Sequence, residues 1–562
     1  MKVILFSISL IYLFSCSSGL EGRIENLALL KDFKSACQVK ILDNGREALL
    51  HRVQMIRSAK KSIILQTFIW TDDECGRIMI HELGQAAKRG VKVRIICDHL
   101  FSNQDSSSLA AISRIKNLEI KIYNPAGDRV KPIPLKLMIK SIGQFHKVNQ
   151  RMHNKLIMVD SKDAVCGGRN IENTYYDNAL GLNFKDLDIA VHGPVTASMR
   201  KSFEQFWSSP ISLPLTSLKD VSAKFADHTP LNLELGKNKL YNVLPQLLSN
   251  YNWKEGFLEV DKVAFFSDMP GKNDSKGFHG SSRLNNIIVN AVKNAKERIW
   301  IQSPYVVMSA KAQKILTDIR ALNKSLDITI STNSLAATDS WQTYAFLYKQ
   351  KKVLISDLGI KMYEFKPLPA DLFKVMPNYS QLLQQMTGMN SLTKKQWQEG
   401  DVTRYPRLCL HSKCMLTDDD FSFVGSYNMD PRSANLNTEL SVVVIDKNFN
   451  RLLANHIAKD IAAKNSWVVA KRKTIIGIKQ IFQIISAINS VGIKVTGIDL
   501  WPRRYSACFQ LREGATEVSR DHKDFYKNYI SVGNFPRIPI LGEKEIFTRL
   551  FKAFGKSLKS IL

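Results

Sequence analysis

Short apolar blocks separated by polar turns run through most of the chain, and two series of them read alike. Ala59-Lys-Lys-Ser-Ile-Ile-Leu-Gln66-Thr-Phe68 and Ala295-Lys-Glu-Arg-Ile-Trp-Ile-Gln302-Ser-Pro-Tyr305 each follow a stretch with helical spacing and predict a buried strand; the two glutamines lie 236 residues apart. After the first strand, Ile78 to Gly90 predicts a helix ended by glycine, and Val91 to Asp98 a strand that ends in a carboxylate. After the second come a predicted helix over Ala310–Leu322 and a predicted strand over Asp327–Asn333. Strands alternating with helices in two matched runs predict an α/β fold: two α/β/α domains related by internal duplication, each a mixed sheet flanked by helices.

A second match lies further along each run. His153-Asn-Lys155 leads through Asp160 to Gly167-Gly168-Arg-Asn170, and His411-Ser-Lys413 leads through Asp418 to Gly425-Ser426-Tyr-Asn428, without a gap and 258 residues apart. The offset has grown by 22 residues, which places an insertion between Gln302 and His411; 365–401, rich in Pro, Gln and Met, is the candidate. At about one chance in twenty per fixed position, two six-point matches at equivalent places in a duplication are not coincidence. The expected organisation is a leader (1–16), a first copy (17–215), a connecting segment (216–280), a second copy (281–467) and a C-terminal region (468–562).

The ends of the chain add an address. Val3 to Phe14 is apolar but too short to cross a bilayer, and it fits the core of an export signal. Leu13-Phe14-Ser15-Cys16 resembles a bacterial lipobox, so Cys16 is the expected lipidation site and a membrane-anchored exported lipoprotein of the bacterial cell envelope the expected product. The other seven cysteines have no disulfide-framework spacing. A net charge of +28 makes polyanions the expected partners, either anionic phospholipids at a membrane surface or, alternatively, nucleic acid. No obligate protein partner is evident. Ile475 to Val491 is interrupted by polar residues and does not read as a transmembrane span, whereas Ile546 to Leu562 sets aromatic and aliphatic residues against lysines as an interfacial helix does.

The duplicated motif carries the chemistry. Arg151 to Val159 alternates as a strand would, which predicts His153 and Lys155 on one face, with His411 and Lys413 likewise. An imidazole beside an ammonium suits attack on a phosphate, the ring as nucleophile or acid and the lysine on non-bridging oxygens. Gly168 and Ser426 lie in turns where backbone can approach those oxygens, and Asn170 and Asn428 add donors. Cys409, His411 and Cys414 also cluster, but Cys414 would face away from the other two and the first copy has no matching cysteines, so no metal is expected.

Both motifs resemble the HKD motifs of the phospholipase D superfamily, and the likeness spans about residues 49–467. It implies two phospholipase D-like domains whose motifs meet across a pseudo-two-fold axis, forming one site at their interface that needs no metal or cofactor. It further implies a phosphohistidine intermediate, with His153 as nucleophile, His411 as acid and base, and Lys155, Lys413, Asn170 and Asn428 on the phosphate. Asp160 and Asp418 belong to the motifs and are expected to orient them. Each histidine needs an acidic partner to fix its tautomer. Glu439 matches the family position, and its counterpart is Asp186 or Asp188. Tyr123-Asn-Pro, Asn149 to Lys155, Thr332 to Asp339, Asn428 to Ser433 and Leu436 to Glu439 together resemble bacterial cardiolipin synthases of the type C branch. That resemblance implies transfer of a phosphatidyl group between phospholipids, with hydrolysis to phosphatidic acid and nucleic acid cleavage as alternatives.

Overall fold

The computed structural model of the protein describes residues 32–99, 105–130, 149–225, 230–272, 282–472 and 505–538. Cys16 and its leader, the 475–491 stretch and the 546–562 tail lie outside the described residues. Among the described residues no helix is long and apolar enough to cross a membrane, and the seven cysteines are free and buried.

The first sheet has nine strands, in spatial order Leu258–Val260, Cys37–Leu42, Asp188–His192, Asp163–Gly167, Leu156–Val159, Ser62–Thr67, Lys92–Asp98, Leu118–Tyr123 and Ser212–Pro214. The second has ten: Lys262–Ser267, Leu440–Ile445, Phe421–Gly425, Cys414–Thr417, Arg298–Gln302, Asp327–Asn333, Lys361–Phe365, Ser466–Lys471, Ser506–Leu511 and Tyr529–Ser531. Setting aside Leu258–Val260 in the first sheet and the last two strands of the second, the order is the same. In both, three neighbouring strands are parallel and the rest antiparallel. The duplication in the sequence is thus a duplication of topology.

Local chemistry sets the elements. Asp73, Ser309 and Asp446 each accept a backbone N–H in the first turn of the helices Glu74–Lys88, Ala310–Leu322 and Lys447–Ile461, donors that would otherwise lack partners. The first of these helices stops just before Gly90, whose φ of +92° suits glycine. The helices Gly45–Ser58 and Glu74–Lys88 cover the outer face of the first sheet. The inner faces of both sheets share a single core with the equivalent helices Thr196–Trp207 and Lys447–Ile461, in which Phe203, Phe206, Val442, Val444, Phe449 and Leu453 are buried. The halves are therefore welded by a common apolar layer rather than merely linked.

Three stretches do more than the sequence suggested. Residues 216–280, read as a connector, supply the helix Lys239–Ser249 to the first core and one strand to each sheet. The insertion forms three short helices around Leu372, Tyr379 and Leu383. It also reaches the first half, where Asn44 donates to the Val375 carbonyl and Asn378 to that of Asp177. Part of the C-terminal region, Ser506–Leu511 and Tyr529–Ser531, extends the second sheet.

Candidate active site

The motif histidines are not on strands of either large sheet. The strands begin only at Leu156 and Cys414; the residues just before them leave their own sheet and pair with the opposite half. Met152 bridges Thr438 in parallel, with His153 N–H donating to the Thr438 carbonyl and Thr438 N–H to that of Arg151, both at 2.9 Å. Arg407–Leu410 likewise pairs in parallel with Leu182–Lys185, Leu410 opposite Lys185, and His411 N–H donates to the Lys185 carbonyl. The alternation read as a strand was thus extended backbone, but its hydrogen-bonding partner is the other copy.

This register builds the site. One residue beyond Leu410 and Lys185 stand His411 and Asp186, with Nδ1 and Oδ2 2.6 Å apart. One residue beyond Met152 and Thr438 stand His153 and Glu439, with Nδ1 and Oε2 2.8 Å apart. Each histidine therefore takes its carboxylate from the opposite half. Asp188 is not a histidine partner; it pairs with Arg52 and Arg169.

Each crossing segment is pinned in the same way from the end of a parallel strand. Asp98 accepts from Met152 N–H (2.9 Å) and pairs with Arg151; Asn333 both accepts from Leu410 N–H (2.8 Å) and donates to its carbonyl (2.7 Å). Both are buried. Sequence reasoning gave them no role, although each sits at the end of a matched strand.

The remaining motif residues divide. Asp160 and Asp418 are not beside the histidines. At φ of +50° and +51°, each gathers three successive backbone N–H groups, those of Lys60, Lys61 and Ser62 or of Lys296, Glu297 and Arg298. They tie the motif to the start of the neighbouring strand. Gly168 touches Asp186: a Cβ there would fall 2.2 Å from Oδ1, so glycine lets that carboxylate approach. At the equivalent position the Ser426 hydroxyl donates to Glu439, whose other oxygen accepts from Ser433. Asn170 accepts from Ile69 N–H and donates to the Tyr175 hydroxyl, while Asn428 Oδ1 is buried without a partner among the described residues.

Charge and burial are concentrated here. Lys155 donates to the His153 carbonyl and lies over the Phe68 ring, which meets His153 edge-on; Lys413 lies 2.8 Å from His411 Nδ1, the nitrogen that faces Asp186, and 3.4 Å from its Nε2. Tyr175, Phe184 and Tyr305 surround the His411 ring. Burial pushes His153 and Lys155 well below their ordinary values, and Lys155, Lys413 and His411 each add to the depression of His153. Burial also lowers His411 and Lys413. The carboxylates diverge. Asp186 is held well below the usual range by Lys413 and His411 against the cost of burial, whereas burial wins at Glu439 and pushes it up to about 7. Nitrogens that lose charge through burial and mutual repulsion regain it when an anion arrives among them.

The family description "Cardiolipin synthase, PLD-like domain" matches residues 53–207 and 288–461. The chain is 31% identical over 456 residues to an uncharacterized protein of Helicobacter pylori, covering 80% of this chain and 84% of that one. It is 28% identical over 435 residues to cardiolipin synthase C of Escherichia coli, covering 76% of this chain and 85% of that one. Among solved structures, phosphatidylserine synthase of Haemophilus influenzae shares the fold at a TM-score of 0.50 and 14% identity, over 81% of this chain and 94% of that one. Two topologically equal sheets, a histidine of each paired with a carboxylate of the other, and these matches place the chain in the cardiolipin synthase family of phospholipase D-like proteins.

Proposed function

We propose that the protein is a phosphatidyltransferase that moves a phosphatidyl group between phospholipids through a phosphohistidine intermediate. The observation that carries this reading is the crossed pairing, which fixes both Nδ1 atoms on carboxylates and leaves the two Nε2 atoms, with Lys155 and Lys413, for one phosphodiester. The names of the relatives support a phospholipid as that diester.

The unequal acids support a division of labour. Burial, Lys155, Lys413 and His411 hold His153 neutral, and with Nδ1–H donating to the Glu439 carboxylate its Nε2 keeps the lone pair that makes it the nucleophilic atom. Asp186 stays ionised and favours the charged form of His411, which suits a proton donor. His153 Nε2 attacks phosphorus while the bond to the headgroup oxygen breaks, and His411 gives that oxygen a proton. The second alcohol then loses its proton to His411 and attacks phosphorus, and the P–N bond breaks. Lys155 and Lys413 hold the non-bridging oxygens as charge builds on them, with Asn428 nearby.

The test is incubation with vesicles of labelled phosphatidylglycerol, with and without phosphatidylethanolamine, followed by mass spectrometry of the lipids. Cardiolipin is the expected product, and it should vanish in folded His153→Ala and His411→Ala variants. Phosphatidic acid alone would make the second nucleophile water. The absence of any lipid product would point to nucleic acid as the diester.

A further inference from the structure

One carboxylate near the site is used by neither histidine. Asp339 follows the strand Asp327–Asn333 and, unlike Asp186 and Glu439, it is exposed. The Tyr305 hydroxyl donates to its Oδ2 at 2.6 Å, and the Cys409 thiol lies 3.7 Å from Oδ1. Tyr305 in turn stands edge-on to the His411 ring, with centroids 6.3 Å apart. Asp339 is close enough to favour the charged forms of both His411 and Lys413. Its hydrogen-bond partners are neutral, and among the described residues it forms no ion pair.

An exposed negative charge beside a site for a phosphodiester anion weakens binding of that anion unless the ligand carries something to complement it. A carboxylate only accepts, and its two oxygens keep lone pairs beyond those taken by Tyr305 and Cys409. Charge alone is met by any cationic headgroup, so what these free acceptor positions select is a hydrogen-bond donor. Its place is the His411 side, where an alcohol oxygen departs and another arrives if His411 carries the proton, an assignment that rests on the function proposed above.

We propose that Asp339, oriented by Tyr305, forms the subsite that recognises the alcohol portion of the substrate through a hydrogen-bond donor on that alcohol. A glycerol hydroxyl and an ethanolamine ammonium both supply such a donor; choline supplies none. Asp339 is a specificity residue, and the proton transfer itself stays with His411.

The experiment compares release of the headgroup alcohol from phosphatidylglycerol, phosphatidylethanolamine and phosphatidylcholine in the same detergent micelles, for the wild-type chain, Asp339→Ala and Tyr305→Phe. With wild type, kcat/KM should favour a donor-bearing headgroup over choline. Asp339→Ala should reduce that preference about tenfold, the scale of one hydrogen bond to a charged group, and Tyr305→Phe should reduce it less. Loss confined to phosphatidylethanolamine identifies the ammonium as the donor, loss confined to phosphatidylglycerol the hydroxyl, and loss with both a site that accepts either. An unchanged preference in both variants, with unfolding midpoints like wild type, overturns the subsite. If the wild-type chain turns over none of the three lipids, the failure lies in the function on which the subsite rests.

Discussion

At the scale of single residues, the two carboxylates beside the histidines are alike in geometry and opposite in electrostatics. Glu439 holds its proton more tightly in the folded chain, at about 7, than at its ordinary 4.5. Between those values folding takes up a proton, so stability falls as pH rises through the window and the loss is complete above it. Glu439→Gln removes the slope. Its unfolding free energy relative to wild type should be higher at pH 8 than at pH 5, by about 3 kcal/mol at most, while lipid turnover collapses. Thermal unfolding of both proteins at the two pH values measures it, and parallel curves would deny Glu439 its raised value. Gly168 is the corresponding lever on Asp186. The added methyl of Gly168→Ala meets Oδ1 at 2.2 Å, and displacing that carboxylate by about 1 Å should lower kcat roughly 100-fold, at a cost of about 1–3 kcal/mol in stability from overpacking. The motif residues themselves were legible from their repeated spacing, and Glu439 from its match to the family position, whereas its counterpart was left open between Asp186 and Asp188. What Gly168 and Ser426 touch was not, because a spacing pattern shows that a small residue is wanted without showing which neighbour wants it.

At the scale of elements, the helix at Ala310–Leu322 and the strand at Asp327–Asn333 lie where periodicity put them, the helix burying Leu316 and Ile319 on one side and the strand buried on both faces from Ile328 to Asn333. The segments carrying His153 and His411 were misread because alternation reports extended backbone and says nothing about which strand it bonds to. Their crossing needs an anchor, and Asn333 supplies it to the His411 segment with two hydrogen bonds to Leu410. Asn333→Leu leaves the buried Leu410 N–H unpaired and its C=O with only the weak Cys409 thiol contact, a cost of about 1–3 kcal/mol in stability. Because Asn333 does not carry the chemistry itself, kcat should fall while KM stays near wild type. Asn333→Asp imitates Asp98 and can restore only the bond from Leu410 N–H, so its kcat should lie between the two. Equal kcat in Asn333→Leu and wild type would mean that the pairing of Arg407–Leu410 with Leu182–Lys185 holds His411 unaided.

At the scale of the whole molecule, the duplication was visible because both copies kept the same spacing, but the exchange of acids between them was not, since no local pattern records which half an acid serves. The connector was misjudged for a related reason: Lys262–Ser267 has no meaning as a lone strand and acquires one only beside Leu440–Ile445. The shared core also decides whether the site is made within one chain or between two. His153 with Glu439 and His411 with Asp186 are contacts inside a single chain, and separating the halves so that they could trade partners would expose the layer containing Phe203, Val442 and Leu453. A mixture of full-length His153→Ala and His411→Ala proteins, each inactive, should therefore stay inactive after prolonged incubation, because every molecule still lacks one histidine. Each variant should unfold in one cooperative transition, as a common core requires. Recovery of an appreciable fraction of wild-type turnover in the mixture would show that halves exchange between chains, and the joint core would then be a weaker bond than its burial implies.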